Sequence, residues 1–211
     1  MTDADPEPAL TALRAAGDVA GAVTLAIRAY GPEVYSYLRA IHREPDEADD
    51  VFSRFTEALW HSLSDRDLHC SHRTWAYAVA RRTSLAYRRV ERRRAAHFAP
   101  WPETTSLSAL TAAVRTQTAL HLQTAKRSRF AELRASLPEE DQTLLMLRVD
   151  RKLAWNDLVE VMAEERAAPL SPEAIRKESA RLRKRFQSLK EKLRAMAREA
   201  GLAPRDDDDQ A

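Results

Sequence analysis

The chain has 211 residues, with 34 lysines and arginines against 32 aspartates and glutamates, for a formal net charge of +2. So balanced a total excludes a polycation that coats nucleic acid indiscriminately, and any such binding must come from charge gathered into patches. Four glycines and a single cysteine, Cys70, exclude a disulfide-stapled scaffold, and the wealth of alanine, leucine, arginine and glutamate points to an all-α fold.

The N-terminal MTDADPEPAL is acidic and lacks the apolar core of a signal peptide. No apolar run approaches the ~18 residues of a membrane span, so a soluble cytoplasmic protein with no membrane segment is expected. Helices are expected over 9–16, 19–28 and 32–42, with Pro32 at a first-turn position. The next helix, over 46–62, is strongly amphipathic. Ala48, Val51, Phe52, Phe55, Ala58 and Leu59 follow i, i+3, i+4, i+7 spacing, while Asp49, Asp50, Ser53, Arg54 and Glu57 occupy the other face. Residues 44–67 carry eight acidic side chains and two arginines.

A polar connection over 65–71 leads into RTWAYAVARRTSLAYRRVERRR, residues 73–94, with eight arginines against one glutamate. Trp75, Val79, Thr83, Ala86 and Val90 form its expected buried stripe, flanked by Arg81, Arg88 and Arg92 on one side and Arg82, Arg89 and Arg93 on the other. Tyr77 and Tyr87 lie among the arginines. Guanidinium groups with aromatic rings suit a nucleic-acid backbone with unstacked bases, although a solvated basic face has the same pattern. His61, His69, Cys70 and His72 lack the paired Cys-x-x-Cys spacing of a zinc site, and neither a metal nor another cofactor is expected.

AAHFAPWPETTSLS opens an expected linker over 96–130, with a less clearly patterned helical stretch over 107–135. Leu137-Pro138 then starts a second unit, with helices expected over 139–150, 154–167 and 172–199. Ser171 is the expected N-cap of the last helix, Pro172 its first residue and Gly201 its stop. Ile175, Ser179, Leu182, Phe186, Leu189, Leu193 and Met196 make its packing seam. Lys177, Arg181 and Lys184 stand opposite, with Arg176 and Arg185 beside them. Two short helices and a cationic one are what a helix-turn-helix reader of the major groove requires. The run 206–209 is read as a disordered acidic tail within 202–211. No nucleotide loop or nucleophile–base constellation is present, so an enzyme is not expected.

In order and spacing, three stretches resemble bacterial RNA polymerase sigma factors of the extracytoplasmic-function group. EADDVFSRFTEALW, residues 47–60, is similar to the family's acidic amphipathic helix. The resemblance implies that Asp49, Asp50, Ser53, Arg54 and Glu57 contact core RNA polymerase. RTWAYAVARRTSLAYRR is similar to the family's segment that engages the melted −10 strand, which implies that role for Tyr77, Arg81, Arg82, Arg88, Arg89, Arg92 and Arg93. Arg82 stands where the family usually has Asn. LRASLPEEDQTLLMLRVDRKLAWNDLVEVM, residues 133–162, resembles the start of the domain that reads the −35 element, which implies duplex contacts from Arg176, Lys177, Arg181 and Lys184. The implied organisation is a polymerase and −10 domain over 1–95, the linker, and a −35 domain over 131–201. The implied partners are core RNA polymerase and promoter DNA, and an anti-sigma factor is common in the group. A free-standing helix-turn-helix regulator, or a helical interaction protein that masks a partner, would share part of this pattern.

Overall fold

The computed structural model describes residues 5–42, 44–65, 68–94, 129–163 and 169–201. These residues are helical with no strand among them: α1 (Glu7–Ala15), α2 (Val19–Ile41), α3 (Pro45–Asp65), α4 (His72–Arg94), α5 (Arg129–Ala135), α6 (Glu139–Leu145), a π-helical turn (Met146–Asp150), α7 (Trp155–Met162) and α8 (Pro172–Glu199). The chain divides into two compact units, Met1–Thr124 with Glu160–Pro169, and Ala125–Val159 with Leu170–Ala211. The expected linker up to residue 128, and the acidic tail from 202, lie outside the described residues, and Arg129 and Phe130 already belong to α5.

The first unit is built on α2, which packs against α1, α3 and α4. Asp18 caps it by accepting the Gly21 N–H at 2.8 Å. The expected break between 28 and 32 is absent. Val23, Ile27, Val34 and Leu38 are buried along one unbroken 3–4 stripe, and Pro32 sits inside the helix. Burial on both sides of the proline outweighs the one backbone bond its ring removes. On α3, the expected apolar face is buried at Ala48, Val51, Phe52, Phe55 and Leu59, and Leu63 extends it by a turn. Aromatic contacts fill the space between helices, with Tyr35 edge-on to Phe52 at 5.2 Å and Tyr37 edge-on to Tyr77 at 5.9 Å.

In the second unit, Leu137, Leu145 and Leu189 form a small core, packed by Phe186, Leu193 and Met196 of α8. The expected seam of α8 is therefore present, with Ser179, Leu182 and Leu189 its buried members. Ser171 caps α8 by accepting the Ala174 N–H at 3.2 Å, and Gly201, at φ 67°, follows its end. Two charged pairs pin α8 to α6: Arg185 Nε to Asp141 at 2.7 Å and Nη1 to Glu140 at 2.8 Å. Burial works to lower the Arg185 guanidinium, and its bonds to Glu140 and Asp141 outweigh that and raise it.

Candidate nucleic-acid interface

The first backbone N–H groups of a helix have no partner within it, so the start of α4 needs acceptors from elsewhere. Glu7 of α1 provides them. Its carboxylate accepts the N–H of His72 at 2.9 Å and of Arg73 at 3.0 Å, together with the His72 Nδ1–H and the Tyr30 hydroxyl, each at 2.7 Å. Burial works to raise the Glu7 carboxyl, but these bonds together hold it below its ordinary value. Burial, reinforced by the Glu7 carboxylate, pushes the Tyr30 hydroxyl up. Beside them Arg73 forks onto Glu33 through two bonds of 2.7 Å, and these hold its guanidinium above its ordinary value.

From this anchored end α4 enters the unit buried on all sides, from Thr74 through Arg81. Trp75 and Val79 are buried as expected. The rest of the expected stripe is corrected: Ala86 is exposed and Val90 is 36% exposed, while Ser84 is 1% and Tyr87 7% exposed. The decisive partner is His42 at the end of α2, wholly buried, with Nε2 2.8 Å from Ser84 Oγ and its ring edge-on to Tyr87 at 5.7 Å. A hydrogen-bonded serine can be buried at little cost, so polarity did not mark the core side here.

The two expected DNA-facing side chains nearest the helix start are also corrected. Tyr77 is 0% exposed and packed against Tyr37, and Arg81 is 7% exposed, so neither presents a surface to a strand. Arg82 is half-buried. Its guanidinium lies 4.5 Å from the centre of the Trp75 ring, and its Nε donates to the Ala78 carbonyl at 3.1 Å. Half-buried Arg88 closes on the end of α2, donating to the Ile41 carbonyl at 2.7 Å, and Arg89 is exposed. Arg92 and Arg93 belong to the last turn of α4, with side chains outside the described set.

On α3, Asp50 and Glu57 are exposed and Ser53 is half-buried. The other two expected contact residues are turned to internal work. Asp49 accepts the Tyr35 hydroxyl, and Arg54 lies over the Tyr87 ring at 5.0 Å, tying α3 to α4. Among the described residues no group of three or more His, Cys, Asp or Glu is placed to hold a metal, and His72 is engaged by Glu7.

In the second unit Arg176, Lys177, Arg181 and Lys184 are all exposed along α8. Arg181 stands 3.7 Å from Glu178, and with Lys184 it lines an open groove of about 400 Å³ floored by Leu189. Sequence reasoning passed over a cluster around Trp155. Its ring has the Arg148 guanidinium at 4.7 Å, the Arg183 guanidinium at 5.6 Å, and Phe186 edge-on at 5.7 Å. The i, i+7 relation of Arg183 to Arg176 was the available signal.

Residues 26–94 match Sigma-70 region 2. The match supports a sigma-70 family factor, whose region 2 binds core RNA polymerase and promoter DNA and serves promoter recognition and melting. The region 2 segment spans most of α2 and all of α3 and α4, the helices that carry the acidic and arginine-rich faces. A comparison with curated protein sequences gave no match. No helix among the described residues is long and apolar enough to cross a membrane.

Proposed function

We propose that the protein is an RNA polymerase sigma factor of the extracytoplasmic-function group, which directs core enzyme to its own set of promoters and assists their melting. The observation that carries this is the coincidence of the region 2 match with an acid-faced helix packed on an arginine-rich one. In this reading Asp50, Ser53 and Glu57 of α3 meet the polymerase. Arg82, Arg88 and Arg89, continued by Arg92 and Arg93, line the path of the melted −10 strand, where each phosphate contact adds to salt sensitivity. The 131–201 domain reads the −35 element, with Arg176, Lys177 and Arg181 toward base edges and Lys184 on phosphate.

Strand capture has to offset unstacking. Stacking on an aromatic ring is worth about 1–3 kcal/mol per base. Tyr77 is unavailable, so the reading places the burden on guanidinium groups held by rings, such as Arg82 over Trp75. The test is reconstituted transcription with core polymerase on promoters recovered by the holoenzyme. Promoter-dependent initiation is expected. Failure of the chain to bind core polymerase ends the proposal.

A further inference from the structure

The Trp155 cluster belongs to none of the residues assigned above, and its chemistry is specific. A guanidinium stacked on an indole face is held by the ring's quadrupole without spending its N–H donors, which lie in the guanidinium plane. Among the described residues Arg183 has no hydrogen-bond or ion-pair partner, and its contact with the ring is its only one. Arg148 spends one Nη1–H on the Leu153 carbonyl, at 2.7 Å, and keeps the others. No carboxylate neutralises either charge among the described residues. Two cations brought to one ring repel each other, an arrangement that an anion between them would relieve.

The setting says which anion. One turn before Arg183, buried Ser179 is hydrogen-bonded to Asn156 at 2.9 Å, so this side of α8 lies against the start of α7. Arg183 is two turns beyond exposed Arg176 on the same side. When a helix-turn-helix docks, its last helix lies in the groove and the preceding helix crosses the sugar–phosphate backbone. A guanidinium at that crossing meets phosphate oxygens, for which its fork is matched.

We propose that Trp155 is a stacking plate that holds Arg148 and Arg183 with their donors outward, as a clamp on a backbone phosphate of duplex DNA. The clamp rests on the duplex-reading role proposed above for this unit. It adds affinity without sequence preference, and its ring acts as a positioning residue by lowering the entropy lost when two long side chains are fixed.

The test is fluorescence anisotropy of the full chain with a labelled mixed-sequence duplex across a chloride series. Arg183→Gln is expected to lower the slope of log affinity against log salt by about 1, the signature of one lost phosphate contact. Trp155→Leu is expected to weaken binding about two- to fivefold at fixed salt with the slope unchanged, because the charges remain and only their preorganisation is lost. Trp155→Phe, which keeps a plate, is expected to restore most of that loss. Arg194→Gln removes the same charge roughly 16 Å further along α8 and is expected to leave the slope nearly as it was. Equal slopes for Arg183→Gln and wild type, or equal changes in Arg183→Gln and Arg194→Gln, would overturn the clamp, and the exposed Arg183 keeps the test decisive even if Trp155→Leu unfolds. Inorganic-phosphate binding lost in Arg183→Gln while duplex affinity and slope stay as in wild type would overturn the clamp in favour of a free-anion site. Wild-type protein that binds no duplex at any salt would overturn the duplex-reading role of this unit in the free chain, on which the clamp rests, while the core-polymerase test above decides the proposed function.

Discussion

At the scale of single residues, the carboxylate of Glu7 links three helices from outside the segment matched to region 2. Its folded-state value lies below its ordinary 4.5, so the native protein binds this proton less tightly than the unfolded chain does. The contribution of Glu7 to stability is therefore complete above pH 4.5 and is lost as pH falls through the lower folded value. Thermal melting between pH 3 and 7 should show it: the melting temperature of wild type should fall more steeply below about pH 4.5 than that of Glu7→Gln. Parallel curves for the two proteins would remove Glu7 from this role. Tyr77 makes the opposite point. A ring that sequence pattern offered to DNA is a core ring, and Tyr77→Ala should cost about 3–5 kcal/mol in urea unfolding, the range of buried aromatic truncations. A loss of single-strand affinity at unchanged stability would contradict that placement.

At the scale of elements, α2 shows how far burial can carry a helix through a residue that ordinarily ends one. Pro32 lacks the N–H that would bond the Arg28 carbonyl, and such an interior proline costs about 3 kcal/mol in an exposed helix. Pro32→Ala should restore the bond, while the more flexible unfolded chain gives back about 0.4–1 kcal/mol. A net gain of up to about 2 kcal/mol in the stability of the first unit is expected by urea unfolding, and a loss would show that the proline ring itself supports the packing. At the other end of the chain, Ser171→Ala removes the acceptor for the Ala174 N–H and should cost about 1 kcal/mol, seen as fraying at the start of α8 by hydrogen exchange.

At the scale of the whole molecule, a net charge of +2 conceals one strongly acidic segment, 44–67, and two strongly basic ones, 73–94 and 171–198. Acid on α3 and base on α4 and α8 favour different partners, and they can be separated experimentally. Asp50→Lys with Glu57→Lys reverses two exposed carboxylates of α3 without touching Asp49, which is bound to Tyr35. The double variant should lower the affinity for core polymerase at least tenfold, equivalent to about 1.4 kcal/mol, while duplex binding is unchanged or slightly stronger. Polymerase capture undiminished by the charge reversal would move the contact face elsewhere.

Period and composition alone determined the helical character, the apolar face of α3, the seam of α8 and its two caps, because each is a local rule acting on neighbours in sequence. The exposed cations Arg176, Lys177, Arg181 and Lys184 were legible for the same reason: a helix with one apolar seam must turn its other side to water. Only the tertiary structure decided which of two stripes on α4 is buried, since both have 3–4 spacing and the choice fell to His42, which reaches Ser84 and Tyr87 from α2. It likewise buried Tyr77 and Arg81, engaged half-buried Asp49 and Arg54 in internal contacts, continued α2 through Pro32, and gathered Arg148, Trp155 and Arg183 from three parts of the second unit. Each of those outcomes depends on a partner distant in the chain, and a pattern that repeats every three or four residues carries no information about such a partner.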